Sequence, residues 1–269
     1  MLKDLSRTQS VTNSWESACL RSLVPDVAVF LGVGDASAES LGNSACVLCK
    51  QEKPWLLIDC GHDSVNRFKQ VFSNQLPSHV FITHLHYDHV GGLEQLFFKA
   101  ALSGKHVRLY VPVLLVQQLC AMLRYTQLSE GKADVWSTFI LHPVSESFWH
   151  QGVKLWVYPV RHHAPNSAYS LHLPGKVFYS GDTRPIPELL MHMATSGETI
   201  FHDCGVKGNP SHSGIDDLLS EYPAALLARL WAYHYHSEQD HIAFKHAGLK
   251  YVTPFSEIQL GQNESVYNT

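Results

Sequence analysis

Long apolar runs are missing from this chain. No stretch of about 18 consecutive apolar residues occurs in its 269 positions, so no helical membrane span is expected. Charge is sparse and nearly balanced: 16% of the residues are charged and the net charge is −4. That leaves no general basic field to gather a nucleic-acid backbone, although a local patch is not excluded. Cysteine is scarce, six in all, and only Cys46 and Cys49 form a CxxC. The pair lies in an apparent strand, SACVLCK, whose alternation puts the two thiols on opposite faces, and no second pair accompanies it. A structural zinc site there is disfavoured. Cys60 and Cys204 each follow an aspartate at a strand end and read as small buried hydrophobes. The opening MLKDLSRTQSVTNSW lacks the apolar segment of a secretory signal, so the expected compartment is the cytoplasm. Internal repeats and low-complexity segments are absent by inspection.

Histidine is what the chain has in quantity, with 18. The densest place is FITHLHYDHVGG, residues 81–92, which sets His84, His86, Asp88 and His89 within six positions. Val80, Phe81 and Ile82 read as the end of a buried strand, and LEQLFFKAAL after Gly91 and Gly92 reads as an amphipathic helix ending at Gly104. The cluster therefore sits on a tight strand-to-helix turn. His84 and His86, two apart on an extended backbone, point to the same side. Neutral imidazole is the commonest metal ligand, and zinc–nitrogen bonds of about 2.0–2.1 Å let both rings share one ion. Asp88 and His89 follow where the chain enters the helix and can face a second ion. The alternative is a histidine cluster with no metal, but four ligand-type side chains so close together at such a turn argue against it.

The length suits one large core, and a hydrophobic fraction of 45% is globular. Residues 1–26 read as an arm with some helix at 15–23, residues 27–260 as the folded domain, and 261–269 as a frayed tail. Strands are expected at 27–31, 45–50, 55–59, 107–111, 154–160, 176–180, 199–204, 230–233 and 251–260. Helices are expected up to residue 72 after a cap at Asp63, at 113–125 behind Pro112, and at 215–222. Residues 127–150 give no regular pattern. The glycine- and serine-rich GVGDASAESLGNS reads as a loop and is weak as a phosphate signal.

Further ligand-type residues stand at strand ends. Asp59, before a glycine, suits hydrogen bonding to the histidine-rich turn. His162 and His163 both follow a strand, as do His234 and His236. Asp182 lies in a GD turn, where most aspartates are plain turn residues. His202 and Asp203 end the strand at 199–204. His212 stands at the start of a helix, where the backbone favours an anion; the alternative is that Ser213 merely caps that helix.

HLHYDH resembles the HxHxDH signature of the metallo-β-lactamase-fold hydrolases. With FLGVG, IDCG, RHH, Tyr169, GDT, HSG and YHY following the family order, the chain looks most like the ribonuclease Z-like phosphodiesterase branch. The resemblance covers roughly residues 27–260 and implies an α/β (α+β) fold, a four-layer αββα sandwich with metals at one edge. It implies His84, His86, Asp88, His89, His162, Asp182 and His234 as ligands of two divalent ions, zinc or else manganese or iron. Asp182 would bridge the ions, and Asp59 and Asp203 would support the ligands. His162 is preferred to His163 because similar phosphodiesterases carry a tyrosine seven residues after the ligand, here Tyr169; His236 is the fallback for His234.

The catalytic residues implied are Asp88 and His212, the latter stabilising or protonating the scissile phosphate. A hydroxide bridging the ions, formed because they lower the water's pKa toward about 7, would attack phosphorus or a carbonyl carbon. Transfer-RNA-processing members of the common bacterial form carry a protruding arm between their third and fourth motifs. Here the interval from His162 to Asp182 is 20 residues, enough only for a hairpin. The expected substrate is therefore a small or cyclic nucleotide phosphodiester. RNA 3′ processing, ester, thioester or lactone hydrolysis, and metal-dependent binding without turnover are the alternatives. A homodimer is compatible with the resemblance.

Overall fold

The apolar runs pair into two seven-stranded sheets, in a computed structural model that describes residues 24–128 and 134–261. The expected helix at 15–23, most of the arm at 1–26 and all but the first residue of the tail lie outside the described residues. The first sheet is built from β1 (Val27–Gly32), β2 (Ala45–Lys50), β3 (Lys53–Ile58), β4 (His79–Phe81), β5 (Val107–Pro112) and β6 (Phe139–Val144). The second is built from β7 (Ser147–His150), β8 (Val153–Pro159), β9 (Tyr169–Leu173), β10 (Val177–Tyr179), β11 (Thr199–Asp203), β12 (Leu230–Tyr233) and β13 (Lys250–Tyr251). A last strand, β14 (Glu257–Gln259), returns to the outer edge of β1.

Each sheet repeats one plan. In the first, β1, β2 and β3 pair antiparallel and β3, β4, β5 and β6 continue in parallel. In the second, β7 to β10 pair antiparallel and β10 to β13 continue in parallel. This duplication of topology is not visible as a repeat of residues. The two sheets meet where Phe30 of β1 packs edge to face on Phe201 of β11, ring centroids 4.8 Å apart.

Helices flank the sheets, the outer layers of an αββα sandwich. They are α1 (Ser64–Val71), α2 (Tyr87–Val90), α3 (Leu93–Leu102), α4 (Val116–Met122), α5 (Val135–Thr138), α6 (Pro187–Met193), α7 (Ile215–Glu221), α8 (Ala224–Leu227) and α9 (Asp240–His246). The reason α3 docks is legible in its spacing: Leu93, Leu96, Phe97 and Ala100 are buried, one apolar stripe at helical period. No helix among the described residues is long and apolar enough to cross a membrane.

Four expectations change. Residues 113–125 are a short 3-10 turn, Val113–Leu115, followed by α4, and not one helix. The patternless 127–150 contains α5, β6 and β7, both strands lying at sheet edges. The expected closing strand at 251–260 is two short strands in different sheets, because β13 completes the second and β14 the first. Asp63 occupies the cap position of α1 without a side-chain capping bond; its carboxylate instead accepts from the Asn43 amide and pairs with Arg67.

Candidate metal centre

The parallel strands aim their C-terminal ends at one rim, where open α/β sheets generally present ligand sites. The chain leaves β4 through Thr83 and His84, and α2 then carries Asp88 and His89 in a single turn. This turn is stapled to the end of β3: Cys60 donates its amide to the His89 carbonyl at 2.7 Å, and Gly92 to the Cys60 carbonyl at 2.9 Å. Gly61 permits the approach, since a Cβ there would lie 2.0 Å from the Asp88 carbonyl. From the second sheet come Asp182 after β10, Asp203 at the end of β11 and His234 after β12. His234 itself has a φ of +65°, a backbone state that an imidazole rarely takes and that the surrounding structure must hold. Its amide donates to the Val33 carbonyl at 2.8 Å.

These ends bring three overlapping groups together, with ligand atoms within 4.8 Å of one another in each. The first is His84, His86, His162 and Asp182, the second Asp88, His89, Asp182 and His234, and a smaller third joins Asp203 and His212 to His234. Asp182 belongs to the first two. Its Oδ2 lies 3.6 Å from His84 Nε2, 3.3 Å from His89 Nε2 and 3.2 Å from His234 Nε2. Asp88 Oδ2 lies 3.2 Å from His89 Nε2 and 3.3 Å from His234 Nε2. His162 Nε2 is 3.3 Å from His86 Nδ1. All seven expected ligands therefore converge on one small volume. His163 stands outside it, exposed, its Nδ1 2.9 Å from Ser211 Oγ. His236 also stands outside, 3.2 Å from Ser37 Oγ and 3.5 Å from Asp35.

The groups behind the ligands decide which nitrogen carries each proton. Asp59 accepts from the Thr83 amide at 2.8 Å, from Thr83 Oγ1 at 2.7 Å and from His89 Nδ1 at 2.8 Å. Since Thr83 spends its one hydroxyl proton on Asp59, His84 Nδ1, 3.1 Å away, must donate to Thr83 Oγ1. His162 Nδ1 donates to the Ser211 carbonyl at 3.0 Å. In each ring Nδ1 is engaged away from the site, which leaves Nε2 as the nitrogen that faces the cluster. Asp203 accepts from the Thr183 amide and from His212 Nδ1, both at 2.8 Å, and lies 3.5 Å from His234 Nδ1.

Electrostatics reinforces the convergence. Burial, then the neighbouring His89, pushes the His84 imidazole well below its usual pKa. Burial does the same to His162, down to about 4. Burial would raise Asp182, but His234, His89 and His84 together hold its carboxyl well below the usual carboxylate range. Burial would likewise lower His89 and His234, and there the carboxylates win, Asp182 first, so both are raised. His212 is raised by its bond to Asp203, against the effect of burial.

The residues present fit metal ions. His84 Nε2, His89 Nε2 and both Asp182 carboxylate oxygens are buried and have no hydrogen-bond partner. Burying such atoms unpaired is expensive, and a cation shared among them removes the cost. The mixed imidazole and carboxylate set suits zinc, manganese or iron.

Over the cluster lies a cleft of about 220 Å³ lined by His86, Asp88, Asp182, His234 and His212, together with Asp35 and Ser37 from one loop and Lys207 and Asn209 from another. His212 reaches the rim from the loop before α7, 3.9 Å from Asp182. Ser213 does not cap that helix: its hydroxyl donates to the Thr183 carbonyl, Gly214 takes the cap position, and the Gly214 amide donates to Asp217. His202, left without a role by its sequence context, is buried beside Asp203, donating to the Asp203 carbonyl and meeting the Tyr222 hydroxyl at 2.7 Å. Sequence reasoning missed Thr83, Ser211, Lys207 and Asn209. The first stands inside the histidine motif and was open to notice; the others lie on irregular loops whose residues carry no spacing signal.

Fold and ligand cluster define the class, metallo-β-lactamase-fold proteins with a site whose imidazoles and carboxylates suit divalent metal ions. The fold is shared with the metallo-β-lactamase fold protein YhfI from Bacillus subtilis (TM-score 0.67, 12% identity, 87% of this chain and 99% of that one). It is shared equally with a diphosphatase of the PhnP family (TM-score 0.70, 19% identity, 86% and 96%). Residues 28–257 match the family described as anti-Pycsar protein Apyc1, and the chain belongs to that family. A relative of that name from Bacillus phage 010DV004 is 30% identical over 225 residues, 76% of this chain and 87% of the relative.

Proposed function

We propose that this protein is a metal-dependent phosphodiesterase acting on a small or cyclic nucleotide phosphodiester. The observation that carries the reading is that Asp59, Thr83 and the Ser211 carbonyl engage Nδ1 of His89, His84 and His162, which leaves the Nε2 atoms beside the shared Asp182 carboxylate, where a cation can join them. On this reading His84, His86 and His162 hold one ion, Asp88, His89 and His234 hold a second, and Asp182 serves both. When bound, divalent ions supply an acidified water and Lewis-acid stabilisation of the attacked group.

The chain's own side chains do the rest. Asp59 and Asp203 keep the imidazoles in register, and Asp88, at the cleft floor, accepts the attacking water's proton. His212, held by Asp203 at 2.8 Å, offers its other ring nitrogen to the oxygen that leaves. Lys207 on the same loop balances phosphate charge. Small substrates fit better than structured RNA, since between His162 and Asp182 there are only a six-residue loop, 163–168, and the β9–β10 hairpin, with no protruding arm. Zinc as the resident ion, a cytoplasmic setting and a homodimer belong to the same proposal, and metal analysis, fractionation and light scattering test them.

The decisive comparison is hydrolysis of bis-p-nitrophenyl phosphate, p-nitrophenyl acetate, a panel of cyclic nucleotides and precursor transfer RNA, with added zinc or manganese. Phosphodiester cleavage that falls in His212→Ala supports the reading. Preference for the acetate moves the assignment to ester hydrolysis, and silence on every substrate revives metal-dependent binding.

A further inference from the structure

The cleft over the metal ligands is lined by two unlike loops. Lys207, Asn209 and His212 come from one, whose side chains suit an anion. The other carries Asp35 and Ser37, part of the glycine- and serine-rich stretch for which the mechanism has no use. A carboxylate there cannot face the phosphate without repulsion, so it must face a hydrogen-bond donor on the ligand.

Asp35 is built for that task. Its Oδ1 is consumed within the loop, accepting from the Ser37 amide and the Ser37 hydroxyl, each at 2.8 Å. Its Oδ2 has only His236 nearby, at 3.5 Å, and the side chain is 26% exposed, within reach of a ligand. The loop is rigid because it is tied to the strand end that presents His234. The Asp35 amide donates to the Tyr235 carbonyl at 3.1 Å, and the His236 amide donates to Asp240 at 3.0 Å. His236 thus acquires a positioning role: its Nδ1 meets Ser37 Oγ and steadies the turn that aims Asp35.

Size says which part of a nucleotide meets this loop. Pockets that enclose whole drug-sized ligands run to about 300–1,000 Å³, so a cleft of about 220 Å³ suits a part of a nucleotide, and phosphate at the metal ligands brings the attached sugar in with it. In a 3′,5′-cyclic nucleotide the free 2′-hydroxyl sits on the carbon next to the one bearing a phosphate ester oxygen. A carboxylate accepting from a ribose hydroxyl is a recurrent solution to sugar recognition. We propose that Asp35 is a specificity residue that accepts a hydrogen bond from the ribose 2′-hydroxyl of a cyclic nucleotide, so that the site prefers ribose to 2′-deoxyribose. This rests on the phosphodiesterase reading above.

The test compares kcat/KM for a 3′,5′-cyclic ribonucleotide and its 2′-deoxy analogue in the metal-loaded full chain, as wild type, Asp35→Ala and Asp35→Asn. A hydrogen bond to a partly exposed carboxylate predicts a preference for the ribonucleotide of about 10–100-fold in wild type. Asp35→Ala brings the ratio near one. Asp35→Asn lowers it less, because the amide oxygen stays with Ser37 and the NH2 turned toward the sugar can still donate to the hydroxyl oxygen, without the strength a carboxylate acceptor gives, while the loop survives. A merely structural Asp35 would lower both rates together and leave the ratio unchanged, which overturns the proposal, as does a wild type indifferent to the 2′-hydroxyl. Bis-p-nitrophenyl phosphate, which has no sugar, separates the two layers. Its cleavage by wild type with no ribose preference sinks only the role of Asp35, whereas failure to cleave any phosphodiester sinks the underlying reading as well.

Discussion

Replacing Asp59 by asparagine tests the supporting shell with little change of shape. Asp59 is fully buried and sits at φ +63°, a conformation asparagine tolerates well. Its two oxygens accept three bonds, from the Thr83 amide, Thr83 Oγ1 and His89 Nδ1, at 2.7–2.8 Å. An amide supplies one acceptor and one donor group in their place. If the oxygen stays on the Thr83 amide, the new NH2 faces His89 Nδ1, which must then accept. The imidazole proton moves to Nε2, and that nitrogen can no longer hold a metal. If the amide flips, the Thr83 N–H is left facing another donor in the core, at a cost of about 1–3 kcal/mol. Either way metal affinity falls, by about 10–100-fold for a lost supporting bond of this kind. Competition titration with a zinc chelator measures the affinity, and urea unfolding of the metal-stripped protein measures the stability. Unchanged affinity together with unchanged stability would falsify the reasoning.

Other consequences follow from the same geometry. His162→Ala should weaken metal binding by at least the roughly 100-fold seen when support alone is lost, while His163→Ala should leave metal content intact, as read by elemental analysis after dialysis. His212→Ala should lower phosphodiester kcat/KM by about 10²–10⁴-fold and keep the bound metal; loss of the metal instead would make the residue a ligand. His150 supplies a pH signature away from the site. It is buried against Trp55 and Tyr110, Nε2 donating to the Trp55 carbonyl at 2.9 Å and Nδ1 3.0 Å from the Tyr110 hydroxyl, and burial and then His79 lower its pKa from 6.5 to about 4. The folded state thus favours the neutral ring. The stability this contributes, up to about 3 kcal/mol, is present above pH 6.5 and is lost as pH falls toward 4. His150→Gln should flatten that part of the stability curve, and an identical slope in both proteins would contradict the assignment.

How much of this was legible in the residues differs from one element to the next. The inner strands were readable because both faces of β2, β4, β10, β11 and β12 are largely buried, and such strands are continuous apolar runs bounded by turn residues. The edge strands β6 and β7 were not, because FILHPV and SFWH mix buried and exposed positions and the first contains Pro143. Pro112 and the apolar VLL after it suggested one long helix at 113–125, but the chain takes a tighter turn before α4, a packing outcome beyond local propensity. At the site, the spacing in HLHYDH announced a metal turn by itself. The choice between His162 and His163, or between His234 and His236, depended on family order, because each pair occupies one strand end and only the tertiary arrangement separates its members. The rest of the cleft lining carried no signal, since Asp35 stands on a loop 172 positions before the one that carries Lys207 and Asn209.

The central claim is that two divalent cations sit at this rim, and a metal-soaked crystal structure with anomalous scattering at the metal edge tests it most directly. The account predicts two peaks per chain, one bonded by His84, His86 and His162, the other by Asp88, His89 and His234, with Asp182 between them. A protein that takes up no ion after reconstitution, or holds its ions elsewhere, contradicts it.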